Sequence, residues 1–285
     1  MQTSPLPTVP TGAAPSLQGP PGRPAAGATL RRAAAVAGAL GAGSAAGLLA
    51  QALYVVRRPL PTMSGHHGST IIEGARSESL RVLAVGDSSL TGPGLADVND
   101  VWIVNALARV MAQEGGRRTV FFDNRAVGGS TAVETLFQQM GRLPACDLAV
   151  MSVGANDVIR GTRLGRYRGA VSSILALLKA RTDRIIVLGV PPLGVIPRVP
   201  SGLAQILDRR SDRFNRVVRT AALDYGARFV DPWATRDEFA EAATRWFLGD
   251  WFHLNAAGHA RIAREALPVI QAWSAETSGD GDDGS

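Results

Sequence analysis

The stretch VLAVGDSSLTGPG, Val82 to Gly94, carries an apolar run straight into a turn made of Gly86, Asp87, Ser88 and Ser89. A strand that is apolar at every position is covered on both faces, as the strands of parallel sheets between helical layers are. Gly, Asp and Ser are also the residues that turns prefer. The two serines therefore either punctuate the chain or display a nucleophile at a strand tip.

The same texture repeats downstream. Strands are expected over Leu80 to Val85, Thr119 to Asp123, Leu148 to Val153, Arg184 to Val190 and Arg228 to Val230. Helical patterns alternate with them over about Asn99 to Glu114, Thr131 to Met140, Leu164 to Ala180, Ser201 to Tyr225 and Ala256 to Trp273. Tyr167, Val171, Ile174 and Leu178 recur at the spacing of one helix face. Five strand–helix repeats joined by right-handed crossovers give an α/β fold, a five-stranded parallel sheet between two helical layers. This domain is expected over residues 79–273, long enough to bury its own core.

The chain ahead of it reads differently. Residues 1–30 are rich in Pro, Gly, Ala and Thr, lack acidic residues and show no period, so they are expected to be disordered. Arg31 and Arg32 then introduce an uncharged run, Ala33 to Val56, closed by Arg57 and Arg58. Its length suits a bilayer span of about 20 residues, although Ala and Gly dominate it. Residues 31–58 are read as a membrane anchor, with a cleaved export signal ending at Ala50, Gln51 and Ala52 as the alternative. The domain would then be membrane-anchored or exported and face away from the cytoplasm. Residues 59–78 read as a Pro/Gly linker, in which His66 and His67 form a solvated pair, and residues 274–285 as a disordered acidic tail.

Composition narrows the function classes. Of the 285 residues only Lys179 is a lysine, and the arginines that give the net charge of +6 are spread along the chain. A nucleic-acid footprint would cluster on one face, so no nucleic-acid partner is expected. Cys146 is the lone cysteine, which excludes an intrachain disulfide and multi-cysteine metal sites. No His/Asp group has metal-ligand spacing, so neither metal nor cofactor is expected.

In an open α/β sheet, ligands bind beyond the carboxyl ends of the strands. Those positions hold Gly86 to Ser89, then Asn124 to Ser130 with Gly128 and Gly129, then Gly154 to Asp157, and finally Gly249 to Asn255. A serine hydroxyl needs a base within hydrogen-bond reach. Of the four histidines, His259 falls one turn inside the last helix, and His253 alone sits on a loop at this edge. Asp250, three residues earlier, can orient it. Backbone N–H groups of Ser88 and Gly129 and the Asn156 amide can face a developing oxyanion. Each piece alone reads as a turn, a cap or an exposed loop pair; their order along the sheet edge gives them weight.

VGDSS, NRAVGGS, GAND and DWFHLN together resemble the four blocks of the SGNH, or GDSL-type, hydrolases, over about Leu80 to Ile270. The resemblance implies a flavodoxin-like doubly wound fold. It also implies Ser88 as nucleophile, His253 as base, Asp250 as its partner, and Ser88, Gly129 and Asn156 as the oxyanion hole. Ser89 departs from the pattern, standing where the family name has Leu. The expected activity is cleavage of carboxylic esters through an acyl-enzyme, as an esterase or lipase, with lysophospholipase and deacetylase activities within that range. An acyltransferase with the same Ser-His-Asp set, working on an envelope lipid or sugar, is the first alternative, and a non-catalytic binding module on the same fold the second. The expected partner is a small-molecule or lipid ester, met by a monomer associated with the membrane through residues 33–56. Trp246, Phe247, Trp251 and Phe252 are read as loop and core packing, or else as a wall for the acyl group.

Overall fold

The computed structural model describes residues 46, 47, 50, 51, 63–74, 78–115 and 118–279. The chain divides into two units, Met1–Gly47 and Leu48–Ser285. Segment 1–30 and nearly all of the apolar run lie outside the described residues. Among the described residues no helix is long and apolar enough to cross a membrane.

Six strands form one sheet: β1 (Gly68–Ile72), β2 (Glu78–Gly86), β3 (Arg118–Asn124), β4 (Leu148–Ser152), β5 (Ile185–Leu188) and β6 (Arg228–Val230), in the order β1-β3-β2-β4-β5-β6. Strands β2 to β6 are parallel, as their covered sequences require. Val82, Leu83, Ala84 and Val85 are all buried.

The sixth strand corrects the expectation of five. β1 lies inside the segment read as a linker and pairs antiparallel with β3, from Gly68 opposite Asn124 to Ile72 opposite Val120. It is a sheet edge, and Ile71 on it is 58% exposed. An edge strand that buries so little leaves no hydrophobic signature in sequence, and Gly68 at its start with Gly74 just after it mimics a linker.

The helices are α1 (Ser88–Thr91), α2 (Trp102–Gln113), α3 (Ala132–Gln139), α4 (Ala155–Ile159), α5 (Leu164–Lys179), α6 (Ser201–Asp224), α7 (Arg236–Glu241), α8 (Ala243–Trp246) and α9 (Ala256–Gly279). They cover both faces of the sheet: α2 packs with α9, while α5 packs against both α3 and α6. The α5 stripe of Tyr167, Val171, Ile174 and Leu178 is fully buried, each side chain contributing about 1.5–3 kcal/mol. Helix α9 continues past Trp273 to Gly279, through part of the expected disordered tail.

β2 is flanked by β3 on one side and β4 on the other. Successive crossovers therefore leave β2 in opposite directions, and a crevice opens beyond its carboxyl end. The Ser88 turn sits there.

Candidate active site

Gly86 ends β2 with φ 147°, and a Cβ there would stand 1.9 Å from the Ser152 carbonyl oxygen. Only glycine fits so close a strand crossing. Its backbone is claimed by the buried Gln139 side chain, which accepts from Gly86 N–H at 2.7 Å and donates to the Gly86 carbonyl at 2.8 Å. Thus α3 supplies the turn with the pairing a strand would otherwise give.

Asp87 caps α1, its carboxylate accepting from Ser89 N–H at 3.0 Å, and Ser88 opens that helix. Burial, opposed by the hydrogen bonds from Ser89, pushes the Asp87 carboxyl from 3.8 up to about 6. Ser89 donates its hydroxyl proton to Ser152 Oγ at 2.6 Å. The residue that departs from the family pattern thus pins α1 to β4, and its hydroxyl is committed.

Asn124, at the end of β3, donates to the carbonyls of His66 and Leu90 at 2.7 and 2.8 Å. His66 also donates its backbone N–H to Thr91 O at 2.6 Å, and its Nε2 lies 3.0 Å from Leu95 O. That corrects the expectation of a solvated histidine: the segment before β1 is folded against the Ser88 turn.

Gly128 backs directly onto the Ser88 turn, since a Cβ there would lie 3.9 Å from Ser88 Cβ. Gly129 follows at φ 83°, its carbonyl accepting from Arg160 Nη2 at 2.7 Å. The same arginine meets Glu134 at 3.1 Å, and Glu134 closes a capping box with Thr131 at the start of α3. Arg160 therefore ties the glycine turn to the loop after β4. There Asn156 Nδ2 donates to Ser130 O at 3.1 Å, and its amide lies against the Asp87 carboxyl. The neighbouring Asp157 accepts from Ala132 N–H at 2.8 Å, and burial raises its carboxyl.

On the loop before α9, His253 Nδ1 lies 2.6 Å from Asp250 Oδ2, while Asp250 Oδ1 accepts the N–H groups of Phe252 and His253, each at 3.0 Å. Burial raises the Asp250 carboxyl, but these backbone and ring donors outweigh it and hold it below the ordinary value. An ionised carboxylate only accepts, so Nδ1 carries a ring hydrogen, and in the neutral ring the lone pair falls on Nε2. Trp251, between them, takes φ 59°, which is strained for an aromatic residue. Two backbone bonds hold it there, Trp251 N–H to Leu248 O and Arg198 N–H to Trp251 O, at 2.9 and 3.0 Å.

Ser88 and His253, from opposite ends of the domain sequence, border one cavity of about 120 Å³ at the sheet edge. Phe247 and Phe252 line it, whereas Trp246 is buried against Phe239 and Trp251 is 42% exposed. The four aromatics therefore divide between wall, core and surface. Asp250, Gly129 and Asn156 do not line the cavity: Asp250 stands behind the imidazole, and the other two flank the serine turn. Among the described residues no three His, Cys, Asp or Glu side chains gather to hold a metal ion.

Several residues around the site escaped the sequence reading, Gln139, Ser152, Arg160 and Trp102, while His259 was read only as a residue one turn inside the last helix. Gln139 alone left a usable signal, a polar side chain four residues after Thr135 on the buried face of its helix. His259, fully buried, accepts from Trp102 N–H at 3.2 Å through Nδ1. Burial lowers it from 6.5 to about 4, helped by the nearby His253, so it stays neutral.

Residues 84–261 match the family model of the GDSL-like lipase/acylhydrolase family. A GDSL-like esterase of Mycobacterium tuberculosis is 28% identical over 192 residues, 65% of this chain and 59% of that protein. The chain thus spans less than two thirds of that relative's length. Two solved structures share the fold. A member of the lipolytic G-D-S-L family from Veillonella parvula has a TM-score of 0.53 and 16% identity, over 69% of this chain and 98% of that one. Axe2, an acetylxylan esterase from Geobacillus stearothermophilus, has a TM-score of 0.50 and 20% identity, over 70% and 96%.

Proposed function

Because the chain belongs to the GDSL-like lipase/acylhydrolase family, we propose that it is a serine hydrolase of carboxylic esters, with Ser88 as nucleophile, His253 as general base and Asp250 as the group that orients it. The observation that carries this reading is the shared cavity: Ser88 and an imidazole with a fixed tautomer border it together.

In the proposed reaction His253 Nε2 takes the Ser88 hydroxyl proton as the oxygen attacks the ester carbonyl carbon. The C=O π pair moves to the carbonyl oxygen, where Ser88 N–H, Gly129 N–H and the Asn156 amide receive the negative charge. Collapse breaks the carbonyl–alkoxy bond, and the imidazolium returns its proton to the leaving alcohol. Water repeats the sequence on the acyl-enzyme, releasing the acid and free Ser88. Asp250 stays ionised throughout and stabilises the imidazolium.

Ser88→Ala tests it: p-nitrophenyl acetate hydrolysis should fall by about a thousandfold or more, and fluorophosphonate labelling should vanish. Wild-type hydrolysis by Ser88→Ala would remove Ser88 as nucleophile. The apolar run 33–56 is proposed to hold the domain at the membrane or to export it. The N-terminal mass of the native protein tests that: an intact terminus fits an anchor, and a start just after Ala52 fits a cleaved signal.

A further inference from the structure

The acyl-transfer steps use Ser88 and His253 and leave the rest of the cavity lining unexplained. Its walls come from the segment after β5, through Leu193 and Val195, from Phe239 on α7, and from Ile262 on α9. Trp102 and His259 complete them. Trp102 is 1% exposed, and its backbone N–H is bonded to His259 Nδ1, so these two bulky walls are tied by a buried hydrogen bond. Lengthening the cavity between them would break that bond and orphan a buried donor. Apart from Asp87 and the hydroxyls of Ser89, Ser152 and Thr235, the walls are mostly apolar, a surface suited to hydrocarbon.

Size decides how much hydrocarbon fits. A cavity of about 150 Å³ lined by Leu, Ile and Phe takes up benzene, six carbons. By that proportion the 120 Å³ here holds about five carbons. We propose that this cavity is the acyl site and confines the enzyme to short linear acyl groups of about four to six carbons, with Val195 and Ile262 setting the limit. The proposal rests on the ester-hydrolase reading above and names the substrate class within it.

The test is a p-nitrophenyl ester series from acetyl to decanoyl, with rates normalised to sites titrated by a fluorophosphonate so that only folded enzyme counts. For wild type, kcat/KM should rise about fourfold per added methylene while the chain is being buried. It should then fall by about tenfold or more once the cavity is overfilled. Ile262→Ala should move the optimum about two carbons longer, since it removes three side-chain carbons. Val195→Phe, at a half-buried position, should move it down to acetyl. Rates that climb through decanoyl, or an optimum that neither variant moves, would overturn this inference while leaving the hydrolase reading intact. Wild-type enzyme that hydrolyses no ester of any length refutes that reading, and this one with it.

Discussion

Replacing Asp87 by Asn tests the electrostatics beneath the Ser88 turn. The fully buried Asp87 carboxyl is pushed from 3.8 to about 6, first by loss of hydration, with the Asp157 charge adding to the rise. The folded protein keeps a proton there that the unfolded chain releases at lower pH. The stability this gives is complete below pH 3.8 and is lost as pH rises through about 6. The difference between 3.8 and about 6, at 1.36 kcal/mol per pH unit, makes that loss about 3 kcal/mol. His259 runs the other way. Burial holds it neutral down to about pH 4, so its contribution is complete above 6.5 and is lost as pH falls toward 4, again about 3 kcal/mol. Over the shared window the two slopes oppose and nearly cancel. Asp87→Asn keeps an oxygen to accept from Ser89 N–H and removes the titration. Its unfolding free energy, measured against wild type by urea melts, should therefore gain about 3 kcal/mol between pH 4 and 6.5. His259→Asn, which keeps an acceptor for Trp102 N–H, should tilt the opposite way. A difference between Asp87→Asn and wild type that stays constant across this window would refute the buried-acid reasoning.

Asp250→Asn should lower kcat by about four orders of magnitude through loss of the tautomer that frees His253 Nε2; steady-state kinetics checks this, and a loss below tenfold would detach Asp250 from the base. Asn156→Ala should cost about 100- to 1,000-fold in kcat, and a change below threefold would remove it from the oxyanion hole. Gly86→Ala drives a Cβ into the Ser152 carbonyl oxygen, so the variant should be insoluble or melt far below wild type. A wild-type thermal melt would show that the close crossing is not rigid.

The parallel strands were legible because burial on both faces leaves continuous apolar runs such as Leu80 to Val85. The α5 stripe was legible because its period survives in sequence. Ser88, Asp250 and His253 stood out as chemistry-bearing residues in short loops, and the fold places Ser88 and His253 on one cavity with Asp250 bonded to the imidazole. What escaped has a common cause. β1 gains its stability from backbone pairing with β3, which any sequence can supply. Gln139, Ser152 and Arg160 act on groups distant in the chain, on Gly86, Ser89 and Gly129. A long-range hydrogen bond to a backbone atom or to one distant hydroxyl imposes no pattern on the residues around it. The expected solvated His66 failed for the same reason, since its partners are the carbonyls of Thr91 and Leu95.

Asp250 and His253 share one loop, whereas Ser88 follows the second strand of the sheet. On the proposed roles, a ribosome delivers the nucleophile early and its base near the end of the domain. For most of elongation the nascent chain carries Ser88 without His253 to deprotonate it, and it cannot attack the esters it meets. Completion of the domain is then the activating event, and products that terminate before Leu248 hold the serine without the reaction.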